Sequence, residues 1–315
     1  MKAHFSEFTY GFSLVSELAS ALGCAAVPIF PSLIKEGGDG GGYDVEMGMG
    51  AVPLYLQFKL SEHLKTNNAK EAKHHSGNIS APYRRFQITS SIRSKQHALL
   101  LGLGAEHEHV YYCAPDFYTN DDLTYLWNNG YVSDGSAFVH PTDIGTILDD
   151  QRHAVCFNGM TLANDTCYLF SDPKPLKNRS LKTLRAMTDL SLREAEIPLR
   201  DLLPKWARLL EESRAAGERF HREQVAAIEK IREEKRLAAL EEDDHDLQYS
   251  EQIIGRQVFD GFDVIPEIEP FNVRSRVSGV PGKPVDQEMH ALMKLGRTAA
   301  TEFQTQMFVL QRRPE

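Results

Sequence analysis

The sequence predicts an α/β fold in which a mixed sheet is followed by a mainly helical C-terminal region. In the first half of the chain, apolar residues recur with helical and strand periods in the order helix, strand, strand, strand, helix, strand. Strand patterns continue until the proline-rich stretch SDPKPLKN, after which the patterns are mostly helical. We therefore expect two regions, residues 1–175 and residues 176–315.

The first predicted helix lies in FSLVSELASALG, with Ser13 as its N-cap and Gly23 as its C-terminal stop. A glycine-rich loop follows this helix. Residues 43–47 then alternate between apolar and polar side chains as a strand does, residues 48–50 form a glycine turn, and residues 52–60 form a second, longer strand. The sequence therefore predicts a hairpin directly after the first helix.

Further elements extend the predicted sheet. The segment YRRFQIT is a third strand, SKQHALLLGLG a second helix and HVYYCAP a buried strand. Short helices are predicted around residues 123–127 and in TDIGTIL, and strands in SAFVHP, HAVCFNG and TCYLFSDP. These segments complete the first region.

The C-terminal region begins with a long, highly charged helical pattern, LRDLLPKWARLLEESRAAGERFHREQVAAIEKIREEKRLAALEEDD, that carries one apolar stripe. Such a stripe indicates packing against another helix, either of the same chain or of a second copy. A helix is predicted at residues 287–302, and the final apolar run TQMFVLQ returns as a strand. The charged helices are therefore the predicted surface for an oligomer or a partner protein.

Composition places the chain among soluble globular proteins, with 42% hydrophobic and 25% charged residues. No apolar run approaches the roughly 18 residues of a membrane span, and the first residues do not resemble a secretory leader. We expect a cytoplasmic protein without membrane association. The four cysteines form no CxxC pair, which indicates neither a disulfide framework nor a zinc site.

The formal net charge of −9 argues against a nucleic-acid partner, but the charges are unevenly distributed. Between Lys59 and Lys95 there are eight lysines and arginines and only two glutamates. Such a stretch can hold a polyanion, although a solvated lysine-rich loop has the same composition. The predicted nucleic-acid contacts within it are Lys65, Lys73, Arg84 and Arg85.

A polar face is predicted on the hairpin. Because strand side chains alternate, Asp44 and Glu46 share one face of the first strand, and Gln57 and Lys59 share one face of the second. One explanation is a structural ion pair between Asp44 and Lys59, since burying either charge alone is costly.

The other explanation is a site for Mg²⁺ or Mn²⁺. Mg²⁺ prefers oxygen ligands and keeps several waters, so Asp44, the amide oxygen of Gln57 and the backbone carbonyl of Phe58 can suffice. Lys59 would then orient an attacking water or offset charge that develops on a phosphate. Such a site suits hydrolysis of a phosphodiester bond.

The combination of GYD and LQFK across one hairpin resembles the PD-(D/E)xK, or restriction-endonuclease-like, nuclease superfamily. It is the variant in which glutamine replaces the acid of ExK, and it looks especially like the dsDNA endonuclease modules of bacterial anti-phage defence systems. The resemblance implies an αβββαβ core with Asp44, Gln57 and Lys59 as catalytic residues. The chain departs from the pattern by having Tyr43 where a proline precedes the aspartate.

The same resemblance implies roles for residues outside the hairpin. A glutamate on the first helix is common in the superfamily, and Glu17 in LVSELA takes that place. Many members also use a polar residue of the second core helix near the phosphate, a role open here to Gln96 or His97.

These observations predict a metal-dependent endonuclease that acts on DNA. A second hypothesis is a catalytically inactive adaptor that keeps the nuclease fold and binds nucleic acid or a partner protein. A third is an unrelated α/β domain in which Asp44 and Lys59 form a structural ion pair.

Overall fold

The computed structural model describes residues 1–21, 27–29, 51–74, 77–149, 151–158, 166–170, 173–194, 197–246, 284–303 and 305–311. It confirms an α/β fold with one mixed sheet, one antiparallel sheet and surrounding helices. The predicted strand at residues 43–47, with Asp44, and the turn at residues 48–50 lie outside the described residues. Among the helices described, none is both long enough and apolar enough to cross a membrane.

The helices have the following bounds: α1 Glu7–Ala21, α2 Lys70–His74, α3 Gln96–Glu106, α4 Asn120–Asn129, α5 Pro141–Ile144, α6 Leu181–Glu194, α7 Leu199–Asp246 and α8 Pro284–Glu302. The strands are β1 Val27–Ile29, β2 Ala51–Phe58, β3 Glu62–Leu64, β4 Tyr83–Ile88, β5 Val110–Pro115, β6 Ser136–Val139, β7 His153–Phe157, β8 Thr166–Phe170, β9 Lys174–Lys177 and β10 Gln306–Gln311.

The mixed sheet has the strand order β1-β10-β2-β5-β6. Strand β2 pairs in parallel with β5, where Tyr55 lies opposite Val110 and Phe58 opposite Cys113. Strand β10 lies between β1 and β2 and is antiparallel to both. The prediction that TQMFVLQ returns as a strand is confirmed, and this strand lies beside the centre of the sheet formed by the N-terminal region.

The second sheet is antiparallel, with the order β3-β4-β7-β8-β9. The predicted strand YRRFQIT is present as β4, but it pairs with β3 and β7 and does not join β2. Its residue Phe86 lies opposite Val155 of β7, and Arg85 lies opposite Glu62 of β3, where the two side chains form an ion pair. These apolar and charged cross-strand pairs explain its place in the second sheet.

Two element boundaries differ from the sequence predictions. Helix α1 begins at Glu7, because the Ser6 hydroxyl accepts a hydrogen bond from the Thr9 N–H at 3.0 Å and so caps the helix. The predicted cap Ser13 lies inside the helix and donates its hydroxyl to the Thr9 carbonyl. The proline-rich boundary SDPKPLKN contains strand β9.

Both faces of the mixed sheet are buried. Leu54 and Leu56 of β2 belong to a core cluster with Tyr10 and Leu14 of α1. On the opposite face, Tyr55 belongs to a second cluster that includes leucines of α3 and apolar residues of α7 and α8. The N-terminal strands and the C-terminal helices therefore share one core.

Helices α3 and α7 approach each other closely at two glycines. A Cβ added to Gly102 would lie 2.5 Å from the Ser213 carbonyl oxygen and 2.6 Å from the Gly217 nitrogen. A Cβ added to Gly217 would lie 2.6 Å from the Leu99 Cα. The apolar stripe of the first part of α7 thus packs against α3 of the same chain.

We expect Gly102→Ala to lower the free energy of unfolding by about 1–3 kcal/mol, because the added methyl meets backbone atoms that cannot rotate away. The measurement is the midpoint of urea denaturation at constant m-value. Gly77→Ala is the matched control, since nothing lies within 4 Å of its added Cβ. Equal effects of the two substitutions would contradict the close helix crossing.

Candidate functional site

Lys59 lies at the carboxyl end of β2, where the strand pairs in parallel with β5. Its backbone N–H donates to the Cys113 carbonyl at 2.9 Å, which extends the pairing by one residue beyond Phe58. The half-buried side chain of Lys59 donates from Nζ to Oε1 of Gln96 at 2.8 Å. Because Gln96 is the first residue of α3, this hydrogen bond joins the end of the strand to the beginning of the helix.

Two further hydrogen bonds continue from Gln96 to the strand. Gln96 donates from Nε2 to Oε1 of Gln57 at 3.1 Å, and Gln57 donates from its own Nε2 to the Phe58 carbonyl at 3.1 Å. Donors and acceptors alternate along this series, so each amide is oriented by its neighbour. The structure therefore brings together the three predicted residues Gln57, Lys59 and Gln96.

Glu7 is an acid of this site that the sequence analysis missed. Partial burial raises the pKa of its carboxyl, while the Lys59 ammonium and a hydrogen bond from the Leu60 backbone lower it. Burial also disfavours the charged form of Lys59 and so lowers its pKa, whereas the charge of Glu7 raises that pKa. The two groups therefore interact electrostatically at the end of β2.

Helix α1 passes close to the end of β2. A Cβ added to Gly11 would lie 2.8 Å from the Phe58 ring, so the glycine permits this close approach. The first turn of α1, which contains Glu7, therefore lies near Lys59 and Leu60. The sequence signal that could have located Glu7 in the first turn of α1 was a serine followed directly by a glutamate, which is typical of a capped helix start.

Glu17, which the resemblance predicted as catalytic, contacts a different part of the molecule. Its carboxylate accepts hydrogen bonds from the backbone N–H groups of Val132 and Ser133 at 2.7 and 2.8 Å, and from the Ser133 hydroxyl. Within the part of the chain that the structure describes, no hydrogen bond or ion pair joins it to Gln57 or Lys59. Its contacts attach α1 to the turn that follows α4.

His97 lies in the core, with 2% of its surface exposed. Its Nδ1 is 3.0 Å from the Tyr112 hydroxyl and its Nε2 is 2.9 Å from the Gly145 carbonyl oxygen. Burial lowers the pKa of this imidazole to about 4, so the ring is neutral near pH 7. The prediction that His97 contacts nucleic acid is therefore corrected, because both ring nitrogens are bonded inside the protein.

The four basic residues that were predicted to contact nucleic acid differ in their surroundings. Lys65 and Lys73 are exposed. Arg85, in contrast, forms ion pairs with Glu62 at 2.9 Å and Glu71 at 2.7 Å.

Arg84 is also engaged within the protein. Its Nε is 3.7 Å from an Asp116 carboxylate oxygen, and its guanidinium lies 5.5 Å from the centre of the Tyr118 ring. The two lysines are therefore available to a polyanion, whereas both arginines have partners inside the protein.

Of the three oxygen ligands predicted for Mg²⁺, two lie in residues that the structure describes. The Gln57 amide oxygen and the Phe58 carbonyl belong to one hydrogen-bonded series, and both are the neutral oxygen donors that Mg²⁺ accepts alongside a carboxylate. The predicted carboxylate, Asp44, lies outside the described residues. Among the residues described, no group of three or more His, Cys, Asp or Glu side chains could hold a metal ion.

Comparison of the chain with protein-family models, curated proteins and solved structures found no match in any of the three.

The buried His97 makes stability depend on pH. Its pKa is about 4 in the folded protein and about 6.5 in the unfolded chain, so the unfolded chain binds the proton first as the pH falls. Stability that is present above pH 6.5 is therefore lost between about pH 6.5 and pH 4.

For His97→Gln we expect the loss of unfolding free energy between about pH 7 and pH 4.5 to be smaller than in the wild type by about 2–3 kcal/mol. The measurement is urea denaturation at both pH values. An unchanged pH dependence would show that His97 is not held neutral by burial.

Proposed function

We propose that the protein is a metal-dependent nuclease that hydrolyses phosphodiester bonds of DNA. The observation that carries this proposal is the half-buried Lys59 ammonium, bonded to Gln96 and electrostatically coupled to Glu7 at the end of a parallel strand pair. Burying a lysine costs free energy, and groups whose pKa is shifted by burial and by a specific charge are concentrated at functional sites.

The chemistry follows from the groups around Lys59. A phosphodiester gains negative charge as a water attacks it, and an oriented ammonium in a partly desolvated position stabilises that charge. Gln96 orients the Lys59 ammonium by accepting its hydrogen bond, and Gln57 orients the Gln96 amide by accepting from it. Glu7 lies close enough to influence the same ammonium and helps to keep it charged.

In this proposal Asp44, the Gln57 amide oxygen and the Phe58 carbonyl would hold Mg²⁺ or Mn²⁺. Such an ion, when bound, lowers the pKa of a water and polarises a phosphoryl oxygen. Two of these three ligands belong to the hydrogen-bonded series that contains Lys59, which supports their assignment to one site.

DNA is the substrate that the resemblance to dsDNA endonuclease modules of anti-phage systems favours. The exposed Lys65 and Lys73 follow β2 in the chain and supply positive charge for the phosphate backbone. A helix that leads into a strand parallel to β2 is also compatible with a restriction-endonuclease-like core.

An adaptor without catalytic activity is the second candidate function. The observation that favours it is the amide of Gln57, which replaces a carboxylate and already accepts a hydrogen bond from Gln96. A neutral ligand binds a divalent cation more weakly than a charged one, so the same site could hold nucleic acid without cleaving it.

We expect purified protein to cleave plasmid DNA with Mg²⁺ or Mn²⁺, and Asp44→Ala and Lys59→Ala each to lower the rate by about 10²–10³-fold, because each substitution removes charge at the reacting phosphate. The measurement is the rate of conversion of supercoiled plasmid to nicked and linear forms. Lys205→Ala, at an exposed position on α7, is the matched control and should cleave at the wild-type rate.

Three outcomes separate the hypotheses. Cleavage that depends on Asp44 and Lys59 supports the nuclease. Binding of DNA by a wild-type protein that does not cut it would support the adaptor. Inert wild-type protein, together with loss of stability in both variants, would support the structural ion pair between Asp44 and Lys59.

The surroundings of the basic residues predict different effects on DNA binding. Lys65→Ala and Lys73→Ala should each reduce the slope of log K against log salt by about 1, because each removes one contact to a phosphate. Arg85→Ala should instead lower the unfolding free energy by about 2 kcal/mol, since it leaves the Glu71 carboxylate without its ion pair. Fluorescence anisotropy over a salt series and urea denaturation measure the two effects. A reduced salt slope for Arg85→Ala with unchanged stability would contradict this distinction.

A further inference from the structure

Helices α1 and α4 together expose a set of aromatic side chains, which we call the α1–α4 surface. Its members are Phe8, Phe12 and Trp127, with exposed fractions between 39% and 70%. Phe12 stacks on Trp127 with ring centres 6.0 Å apart and an angle of 30° between the planes. Exposed aromatic side chains grouped in this way mark a site of interaction more often than scattered apolar residues do.

The two sides of α1 differ sharply. Tyr10, Leu14 and Leu18 are buried against the mixed sheet. Phe8 and Phe12, one helical turn apart, lie on a different side and are 70% and 55% exposed. Burial in the core therefore does not account for the two phenylalanines.

Glu17 fixes the position of α1 relative to the end of α4. Its carboxylate accepts the backbone N–H groups of Val132 and Ser133, which follow α4, and so joins α1 to the end of the α4 segment. Gly130 ends α4 in the left-handed conformation, with φ of 70°, and its N–H is bonded to the last turn of the helix. The Phe12–Trp127 pair is thus fixed before any partner binds, which lowers the entropy lost on binding.

The charge of the surface decides between a protein and a nucleic-acid partner. Residues 7–21 and 120–135 contain five acidic residues and no lysine or arginine. The acids are Glu7, Glu17, Asp121, Asp122 and Asp134. Aromatic rings can stack on bases, but binding of nucleic acid also requires cations for the phosphates, and here the surrounding charge repels them.

We propose that the α1–α4 surface binds a basic amphipathic helix of a partner protein, with apolar side chains on the aromatic rings and lysines or arginines beside the acids. An amphipathic helix placed on an apolar surface is a common mode of recognition, and opposite charges around it fix the orientation. Glu7 links this surface to the site of Lys59, because it precedes Phe8 and interacts with the ammonium. The inference does not rest on nuclease activity.

The experiment uses the full chain and labelled synthetic peptides of about five helical turns. One peptide has lysines on one face and leucines on the other, a second has glutamates in place of the lysines, and a third has serines in place of the leucines. A labelled single-stranded oligonucleotide is the fourth probe. Fluorescence anisotropy gives the dissociation constants, and circular dichroism checks that each variant is folded.

We expect the lysine–leucine peptide to bind at least about tenfold more tightly than the other probes, because it alone matches both the rings and the acids. Phe12→Ala and Trp127→Ala should each weaken its binding at least about tenfold. Asp121→Lys, at an exposed position, should weaken it about threefold or more without removing any ring. Leu237→Ala, at an exposed position on α7, is the matched control and should bind like the wild type.

Equal binding of the lysine–leucine and glutamate–leucine peptides would overturn the proposal, as would folded Phe12→Ala and Trp127→Ala variants that bind like the wild type. Loss of oligonucleotide binding in these two variants, without loss of peptide binding, would assign the surface to nucleic acid. Each result is independent of DNA cleavage, so failure here leaves the proposed nuclease site untouched.

Discussion

The parallel pairing of β2 with β5 is the constraint on which the site depends. It is continued past the end of β2 by the hydrogen bond from the Lys59 N–H to the Cys113 carbonyl, so the position of Lys59 is set by the backbone. Helix α3 begins at Gln96, next to Lys59, and is followed in the chain by β5, so that Gln96 can accept a hydrogen bond from the ammonium. The packing of the core therefore fixes the positions of Lys59 and Gln96.

The acids and aromatic rings on one face of the mixed sheet lie apart in the chain from the exposed lysines Lys65 and Lys73. On one face, α1 packs its apolar side on β2, and α1 and α4 present acids and aromatic rings. Two exposed lysines, Lys65 and Lys73, lie instead in the segment between β2 and β4. In our account nucleic acid approaches along this segment, and the acidic surface receives a basic protein partner. Glu7 is one of the acids of the α1–α4 surface, and its interaction with the Lys59 ammonium joins this surface to the candidate site.

The sequence predicted the features that depend on local patterns. Alternation predicted β2, and the apolar run HVYYCAP predicted β5, because strand and burial patterns are visible within a few residues. Pairing between strands distant in the chain could not be predicted in this way, and so the placement of β10 beside β2 was found only in the structure. His97 was misjudged, although the unbroken apolar run that follows it is typical of a helix buried on every side. Gln57 and Lys59 were predicted from the alternation of side chains along the strand and Gln96 from the resemblance, whereas Glu7 required the true start of α1.

The most direct test of this account is the pKa of the Lys59 side chain, measured by nuclear magnetic resonance of its Nζ in isotopically labelled protein, with Lys59→Arg used to assign the signal. We expect a pKa below the ordinary lysine value of about 10.4, because burial disfavours the ammonium. In Glu7→Gln the pKa should fall further, since the substitution removes the charge that favours the protonated form. A pKa at or above the ordinary value, unchanged by Glu7→Gln, would contradict the claim that Lys59 is a partly buried cation coupled to Glu7.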